Sequence, residues 1–132
     1  MISRPLTRKV PAKRLPLEFV ERYLAECFTS GSSPTVKELA RLLAMSQRRL
    51  EKTFLVFVGI NPGAYLKARQ IEAAKLLLTT TDLSLAAVSY ITGFETARTF
   101  FRAFRRCVGV SPTTYRTEYK TDSPQESRAH SG

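Results

Sequence analysis

Apolar residues recur at intervals of three and four along most of the chain, which is the period of an α-helix that buries one face. The first such stretch begins after Pro16 and ends at Gly31, shortly before Pro34. No segment of useful length alternates apolar and polar residues as a half-buried strand does. The pattern therefore predicts an all-α fold.

Side chains that can cap a helix mark the later boundaries, because a Ser, Thr or Asn oxygen accepts a hydrogen bond from the first turn. The predicted caps are Thr35, Ser46, Asn61, Ser84, Thr96 and Ser111. Thr35 and Glu38 have the spacing of a capping box. Gly59 and Gly109 follow apolar stretches and predict helix ends. These signals divide the chain into about seven helices.

Two stretches of the chain are near copies of each other, FLVFVGINPGAY at 54–65 and FRRCVGVSPTTY at 104–115. Each copy contains the end of one helix, a glycine stop and a proline that begins the next helix. A short helix and a turn precede each copy, so the repeated unit is a helix-turn-helix. We predict the first helix-turn-helix at about 35–58 and the second at about 84–108.

A longer helix, predicted at about 62–79, joins the two units. At about 1.5 Å per residue it spans roughly 27 Å, which is near the ~34 Å between successive major-groove faces of DNA. Its apolar residues lie on two sides: Ala64, Ala68, Ile71, Ala74 and Leu78 on one, and Leu66, Ala73 and Leu77 on the other. A helix that both units bury would have such a pattern. We interpret Lys67 and Arg69 as solvated charges.

Composition limits the chemistry that the chain can carry. In 132 residues Lys and Arg outnumber Asp and Glu by 21 to 11, a net charge of +10, which predicts a polyanionic partner and first of all nucleic acid. We find no catalytic triad or dyad, paired carboxylates, phosphate loop or metal-ligand spacing, so no enzyme, metal site or cofactor is predicted. Cys27 and Cys107 lie in apolar patterns without disulfide spacing, which fits a reducing cytoplasm. No apolar run has the length of a signal peptide or a membrane span.

The two ends of the chain are predicted to lie outside a folded domain at 17–118. Residues 1–16 are basic, rich in proline and without acid, and are either a flexible linker or an arm that lies on nucleic-acid phosphates. Residues 119–132 are polar and are predicted to form a disordered tail. The single histidine, His130, lies in that tail and is interpreted as inert.

The second helix of each unit has an apolar side and a basic side. At about 100° per residue, the second copy places Ala97, Phe100, Phe104, Cys107 and Val108 on one stripe and Arg98, Arg102, Arg105 and Arg106 opposite. A solvated face is the plain interpretation, but four arginines without an acid favour contact with phosphates and bases. Arg98, Thr99 and Arg102 lie in the first two turns, where a recognition helix meets base edges. Arg105 and Arg106 lie farther along, where phosphate contact is expected.

The first copy has a similar division. Its predicted core stripe is Leu50, Phe54 and Phe57, and its outward residues are Arg48, Glu51 and Lys52. Arg48 and Lys52 can donate to guanine, and Glu51 can accept from a cytosine amino group. Glu51 is equally suited to pair with either basic residue along the helix. Gln47 and Arg49 flank this face as candidate phosphate ligands.

The most specific pattern in the chain is a set of residues spread over both copies. They are Leu39, Ala40, Ser46, Leu50, Phe54, Gly59 and Pro62, followed by Gly93, Phe94, Phe100, Phe104, Gly109, Pro112, Tyr115 and Arg116. With them, residues 17–118 resemble the DNA-binding domain of the AraC/XylS family of bacterial transcription regulators. The resemblance implies seven helices, with two helix-turn-helix subdomains on one linker helix that bind adjacent major grooves. The family's base-reading positions fall on Arg48, Glu51 and Lys52 and on Ala97, Arg98, Thr99 and Arg102.

Some residues depart from the family pattern. Ala44 stands in the first turn, where glycine is common, and Ser89 stands where the second copy usually has alanine. Residues 55–57, with the sequence LVF, make the end of the first recognition helix more apolar than usual. Phe101 takes a normally polar position and either packs into the core or marks a protein contact, for instance with RNA polymerase.

The resemblance implies sequence-specific binding of double-stranded DNA by a transcription regulator, an activator, located in the cytoplasm at the nucleoid. One alternative is the C-terminal DNA-binding part of a larger, ligand-responsive regulator. A non-specific architectural or RNA-binding protein would explain only the charge, and it would need stacking or wedge residues on a basic face. Because one chain has two reading helices and no heptad seam, we expect a monomer on an asymmetric site of about two turns.

Overall fold

A computed structural model describes residues 16–120, and within them the chain forms seven α-helices and no strand. The helices are α1 Leu17–Ser30, α2 Val36–Leu42, α3 Gln47–Phe57, α4 Pro62–Thr80, α5 Leu85–Ile91, α6 Ala97–Val108 and α7 Pro112–Tyr119. The all-α prediction is confirmed. Helix α7 extends to Tyr119, one residue into the segment predicted as a tail. The remainder of that tail from residue 121, and the predicted arm before Pro16, lie outside the described residues.

Six of the seven helices begin at a side-chain cap, and all six caps are the predicted residues. The side-chain oxygens of Thr35, Ser46, Asn61, Ser84, Thr96 and Ser111 each accept the backbone N–H three positions on, at 2.8–3.1 Å. The capping box at Thr35 forms only in part, because its own N–H donates to the Tyr23 hydroxyl at 2.9 Å. That hydroxyl donates in turn to Oε1 of Glu38 at 2.9 Å. Tyr23 therefore ties α1 to the start of α2.

The buried apolar residues form two separate cores along α4, the linker helix. The first core comprises Val20, Tyr23, Leu24, Cys27, Leu39, Ala40, Leu43, Leu50, Phe54 and Leu66. The second core comprises Ile71, Ala74, Leu78, Val88, Phe94, Phe100 and Phe104. We call α1–α3 the first subdomain and α5–α7 the second subdomain. The linker helix gives its first half to one core and its second half to the other.

Three residues of the predicted core stripes are exposed: Ala97 at the start of α6, and Phe57 and Cys107, which are the same position in the two copies. Phe57 is 50% exposed and Cys107 is also exposed, although both lie on the apolar stripes of their helices. Both side chains lie in the last turn of their helices, on a part of the stripe that the core does not bury. Val58 and Val108, one residue farther on, pack at the edges of the two cores instead.

The linker helix also differs from the prediction. Ala64 and Ala68 are exposed, because the side they share with Ile71 is covered only along the second half of the helix. Gln70 is only 5% exposed, although it is polar. Lys67 is not simply solvated, since its Nζ lies over the ring of Phe94 at 5.4 Å.

Arg69 was predicted to be a solvated charge and instead ties the linker helix to α1. Its Nη2 donates to Oε1 of Glu21 at 2.9 Å and its Nε donates to Oε2 at 3.1 Å. The Tyr65 hydroxyl donates to the same carboxylate at 2.5 Å. These hydrogen bonds, that of Arg69 first, hold the pKa of Glu21 below its ordinary value. Burial, and then the bond to Glu21, raise the pKa of Tyr65 to about 12.

The turn of each helix-turn-helix contains one residue with a left-handed backbone, Ala44 with φ 58° and Gly93 with φ 87°. In both turns the next N–H returns to the carbonyl five residues earlier, at 2.9 and 3.0 Å. This conformation is easy for glycine but costs a residue with a Cβ atom about 1 to 2 kcal/mol. The first turn therefore carries strain that the second turn avoids.

The last helix, α7, caps the C-terminal end of the linker helix through Arg116. Arg116 donates from Nε to the Leu78 carbonyl at 3.0 Å and from Nη2 to the Thr81 carbonyl at 3.1 Å, so it satisfies carbonyls that the helix end leaves open. Lys120 forms an ion pair with Asp82. Within residues 16–120, none of the helices combines the length and apolar character needed to cross a bilayer.

Candidate nucleic-acid interface

The second recognition helix, α6, separates its buried and basic residues. Phe100 and Phe104 are fully buried, and their ring centroids lie 5.7 Å apart. The arginines on the other side are all exposed: Arg98, Arg102, Arg105 and Arg106. None of the four forms an ion pair with another residue in the range 16–120. The outward side of α6 is therefore a row of guanidinium groups whose charge the described protein leaves uncompensated.

The start of α6 presents one polar and one small side chain. Thr96 Oγ1 accepts the Thr99 N–H at 3.0 Å and donates to Thr99 Oγ1 at 2.9 Å. This contact holds the Thr99 hydroxyl in place while its own proton can still donate outward. Ala97 beside it is exposed and small, so a base edge can approach the helix closely and its methyl group suits a thymine methyl.

The first recognition helix, α3, has the same arrangement with less charge. Leu50 and Phe54 are fully buried. The predicted contact residues are all exposed: Gln47, Arg48, Arg49, Glu51 and Lys52. Glu51 forms no ion pair with a described residue, so the intrahelical pairing considered for it is not made. Its carboxylate remains available to an outside donor.

The two basic faces differ in strength. The face of α3 has three basic residues and one acid, whereas the face of α6 has four arginines and no acid. Nearby like charges attract a polyanion more strongly when no carboxylate offsets them. The outward side of α6 is therefore the more strongly basic of the two, and that of α3 combines basic side chains with one carboxylate.

Apolar side chains lie exposed where α3 ends. Leu55, Val56 and Ile60 are exposed by 54%, 70% and 40%, next to the half-exposed Phe57. Phe101 behaves differently, because it is partly buried against the second core and meets Phe100 edge-on at 5.8 Å. The structure thus supports a packing role for Phe101 and leaves the end of α3 as the apolar surface beside the basic faces.

The cysteines offer no chemistry to this surface. Burial raises the pKa of the Cys27 thiol, which keeps it protonated in the first core. Cys107 lies exposed at the end of α6. Between residues 16 and 120, no cluster of three or more His, Cys, Asp or Glu side chains could hold a metal ion.

Sequence reasoning missed the residues that hold the recognition helices in position. Gln70 is buried and donates to the Thr92 carbonyl at 2.9 Å, and its position four residues from both Leu66 and Ala74 was an available signal. A polar residue on an apolar stripe needs a buried partner. Ser33, which donates to the Gly93 carbonyl, lies in a loop and gave no such signal.

A family model described as a helix-turn-helix domain matches residues 39–118, which is more than half of the chain. The chain belongs to the AraC/XylS family. Within this family, the HTH-type transcriptional regulator Rv1931c of Mycobacterium tuberculosis is 38% identical over 90 residues, covering 68% of this chain and 35% of the relative. The arabinose operon regulatory protein of Escherichia coli K12 is 30% identical over 99 residues, covering 75% of this chain and 32% of the relative. The chain thus spans about a third of the length of these curated relatives.

One similar solved structure contains DNA. The DNA-binding domain of AdpA, the global transcriptional factor, was crystallised in complex with a target DNA. It superposes on this chain with a TM-score of 0.68 at 29% identity, covering 80% of this chain and 96% of the AdpA domain. The arrangement of seven helices is therefore that of a domain which binds DNA in another member of the group.

Proposed function

We propose that this chain binds double-stranded DNA at specific sequences and is the DNA-contacting part of a bacterial transcription regulator. The observation that carries the proposal is the pair of exposed basic faces on α3 and α6, each backed by a fully buried phenylalanine and both joined by one continuous helix. The printed names of the relatives as regulators, and the DNA complex of the AdpA domain, support the same function.

On α6 the position along the helix divides the contacts. Ala97, Arg98, Thr99 and Arg102 lie in the first two turns, so we assign them to base edges in the major groove. An arginine there can donate two hydrogen bonds to guanine O6 and N7. Arg105 and Arg106 lie in the last turns and are assigned to phosphates, which position the helix without reading sequence.

On α3 the corresponding base contacts are assigned to Arg48, Glu51 and Lys52. Glu51 is the one carboxylate on either face, and without an ion pair among the described residues it can receive a hydrogen bond from a cytosine amino group. Gln47 and Arg49 at the start of the helix are assigned to phosphates.

Selection of bound sequences from random duplexes, followed by gel-shift titration, tests the proposal. The variant Arg102→Ala should weaken binding to the selected site by about 1 to 3 kcal/mol and relax preference at one or two base pairs. Arg22→Ala is the matched control, because Arg22 is exposed on α1 and the substitution removes the same charge from outside the two recognition helices. Equal weakening on selected and unrelated duplexes would favour a non-specific architectural protein instead.

One chain should occupy one asymmetric site. The two recognition helices belong to a single chain, and the 19-residue linker helix between them is roughly 28 Å long. Inserting about five base pairs between the half-sites rotates one of them to the opposite face of the duplex and should abolish simultaneous binding. Two proteins on the native site, seen by sedimentation, would contradict the monomer.

A protein partner is also proposed. The exposed apolar end of α3, with Leu55, Val56 and Phe57, lies beside a DNA-binding face and is suited to an activator's contact with RNA polymerase. Val56→Ser should then reduce activated transcription while leaving DNA affinity unchanged. The chain spans about a third of the length of these relatives, and if it is the DNA-binding part of a larger ligand-responsive regulator, the same measurement applies to that regulator.

A further inference from the structure

A small polar contact joins the two subdomains at the side of the linker helix. The loop between α1 and α2 lies against the turn between α5 and α6, where Ser33 Oγ donates to the Gly93 carbonyl at 2.5 Å. From the linker helix, Gln70 Nε2 donates to the neighbouring Thr92 carbonyl at 2.9 Å. We call this contact the joint, formed by Ser33, Pro34, Gln70, Thr92 and Gly93.

The joint is closely packed. A Cβ atom added to Gly93 would lie 2.9 Å from Pro34 Cδ and 3.0 Å from Gln70 Nε2, which is tighter than real contacts of that kind. Gln70 is 5% exposed and Thr92 is fully buried. Both turn carbonyls are therefore fixed by donors from outside their own subdomain, and little space remains for the turn to shift.

The joint determines the angle between the two subdomains, which the packing of the two cores does not fix. Each core belongs to one subdomain and part of the linker helix, and no residue belongs to both. Apolar packing has no strong directional preference, whereas hydrogen bonds weaken steeply when they bend. The Tyr90 ring of α5 also lies against Gly31, but the hydrogen bond from Ser33 to Gly93, which joins the two subdomains directly, belongs to the joint. Helix α6 begins only four residues after Gly93.

We infer that the joint sets the spacing between the two DNA half-sites that one chain can read. Ser33 and Gln70 are then positioning residues that determine specificity without touching DNA. The inference rests on the proposed function, since the spacing has meaning only if both helices read DNA. One base pair of spacing corresponds to about 35° of rotation around the duplex, so a joint that holds α6 within a smaller angle selects a single spacing.

The first test uses the protein without DNA. Spin labels on Cys107, which is exposed at the end of α6, and on Val56→Cys, which is exposed on α3, report the distance between the recognition helices. Cys27 is 4% exposed and stays unlabelled. The double variant of Ser33→Ala and Gln70→Met should broaden the distance distribution at least about twofold, because a second orientation becomes populated.

Glu21→Gln is the control for general loosening, because it weakens a comparable polar contact that the linker helix makes with α1, outside the joint. It should leave the distance distribution unchanged. If the double variant fails to fold, Ser33→Ala alone keeps the buried amide and should still broaden the distribution. An unchanged distribution in a folded joint variant would overturn the inference whatever the protein does with DNA.

The second test measures spacing on DNA. The native chain should bind its selected site roughly tenfold more tightly than the same site lengthened by about one base pair. The joint variants should reduce that ratio to about twofold while keeping their affinity for an isolated half-site. If the joint variants keep the tenfold ratio, the inference about the joint is overturned, whereas the proposed function is not affected. If the native chain selects no sequence, the proposed function fails, and the spin-label result still judges the rigidity of the joint.

Discussion

The substitution Gly93→Ala tests the close packing in the second turn. Gly93 has φ 87°, where an added Cβ costs about 1 to 2 kcal/mol from backbone strain alone. The new methyl would also lie 2.9 Å from Pro34 Cδ and 3.0 Å from Gln70 Nε2. Relieving that overlap costs a further 1 to 3 kcal/mol, roughly the range for overpacking. The smaller conformational freedom of unfolded alanine returns about 0.4 to 1 kcal/mol.

Gly93→Ala should therefore lower the free energy of unfolding by about 2 to 4 kcal/mol. The free energy of unfolding of a small domain is typically about 5 to 15 kcal/mol, so this is a large part of it. Gly109→Ala is the matched control, since Gly109 has φ 97° and nothing within 4 Å of the added Cβ. This variant has the backbone strain without the steric overlap, so its free energy of unfolding should fall by only about 0.5 to 1.5 kcal/mol.

Urea unfolding followed by far-ultraviolet circular dichroism measures both variants. The difference between them isolates the overlap at Gly93 and should be at least about 1.5 kcal/mol. Equal losses for the two glycine variants would refute the reasoning, because they would show that the turn yields to the methyl without cost. A lower urea dependence in one variant would instead signal a third state and call for a second probe.

Three further outcomes are expected. Ala44→Gly should raise the free energy of unfolding by about 0.5 to 1 kcal/mol, since it removes left-handed strain at φ 58°, and a lower melting temperature would contradict this. Glu21→Gln should lower the free energy of unfolding by only about 0.5 to 1 kcal/mol, because solvent partly screens the half-exposed ion pair between Glu21 and Arg69. Because the pKa of Glu21 is lowered in the folded state, the stability difference between the native chain and Glu21→Gln should be present above pH 4.5. It should vanish as the pH falls through the lowered pKa, and melting curves recorded at several pH values measure it. Arg106→Ala should reduce the slope of log affinity against log salt by about 0.9, with Arg22→Ala leaving the slope unchanged.

Local signals predicted the helices well, because caps and glycine stops act within one turn of the chain. The caps at Thr35 and Ser46 form as expected, apart from the contribution of Tyr23, which comes from another helix. The periodic stripe failed at Phe57 and Cys107, since a helical wheel shows direction but not where the covering core ends.

The contacts that tie the linker helix to the helices packed on it were beyond sequence reasoning. Arg69 and Arg116 were expected to be ordinary surface or family positions, yet each one bonds to a partner 35 to 48 residues away along the chain. Spacing of residues predicts no such pair. The outward residues of α3 and α6 are exposed as a DNA-reading face requires, and their contacts with DNA remain predictions.

The separation of the two cores bears on how domains of this family can diverge. Leu66 ends the first core and Ile71 begins the second, so the interior of one half can mutate without disturbing the interior of the other. Gene duplication followed by independent drift of the outward side chains would then generate new pairs of half-sites, one half at a time. Exchange of a half between paralogues should succeed when the donor keeps a glycine at position 93, whose neighbours come from both the linker helix and the other half.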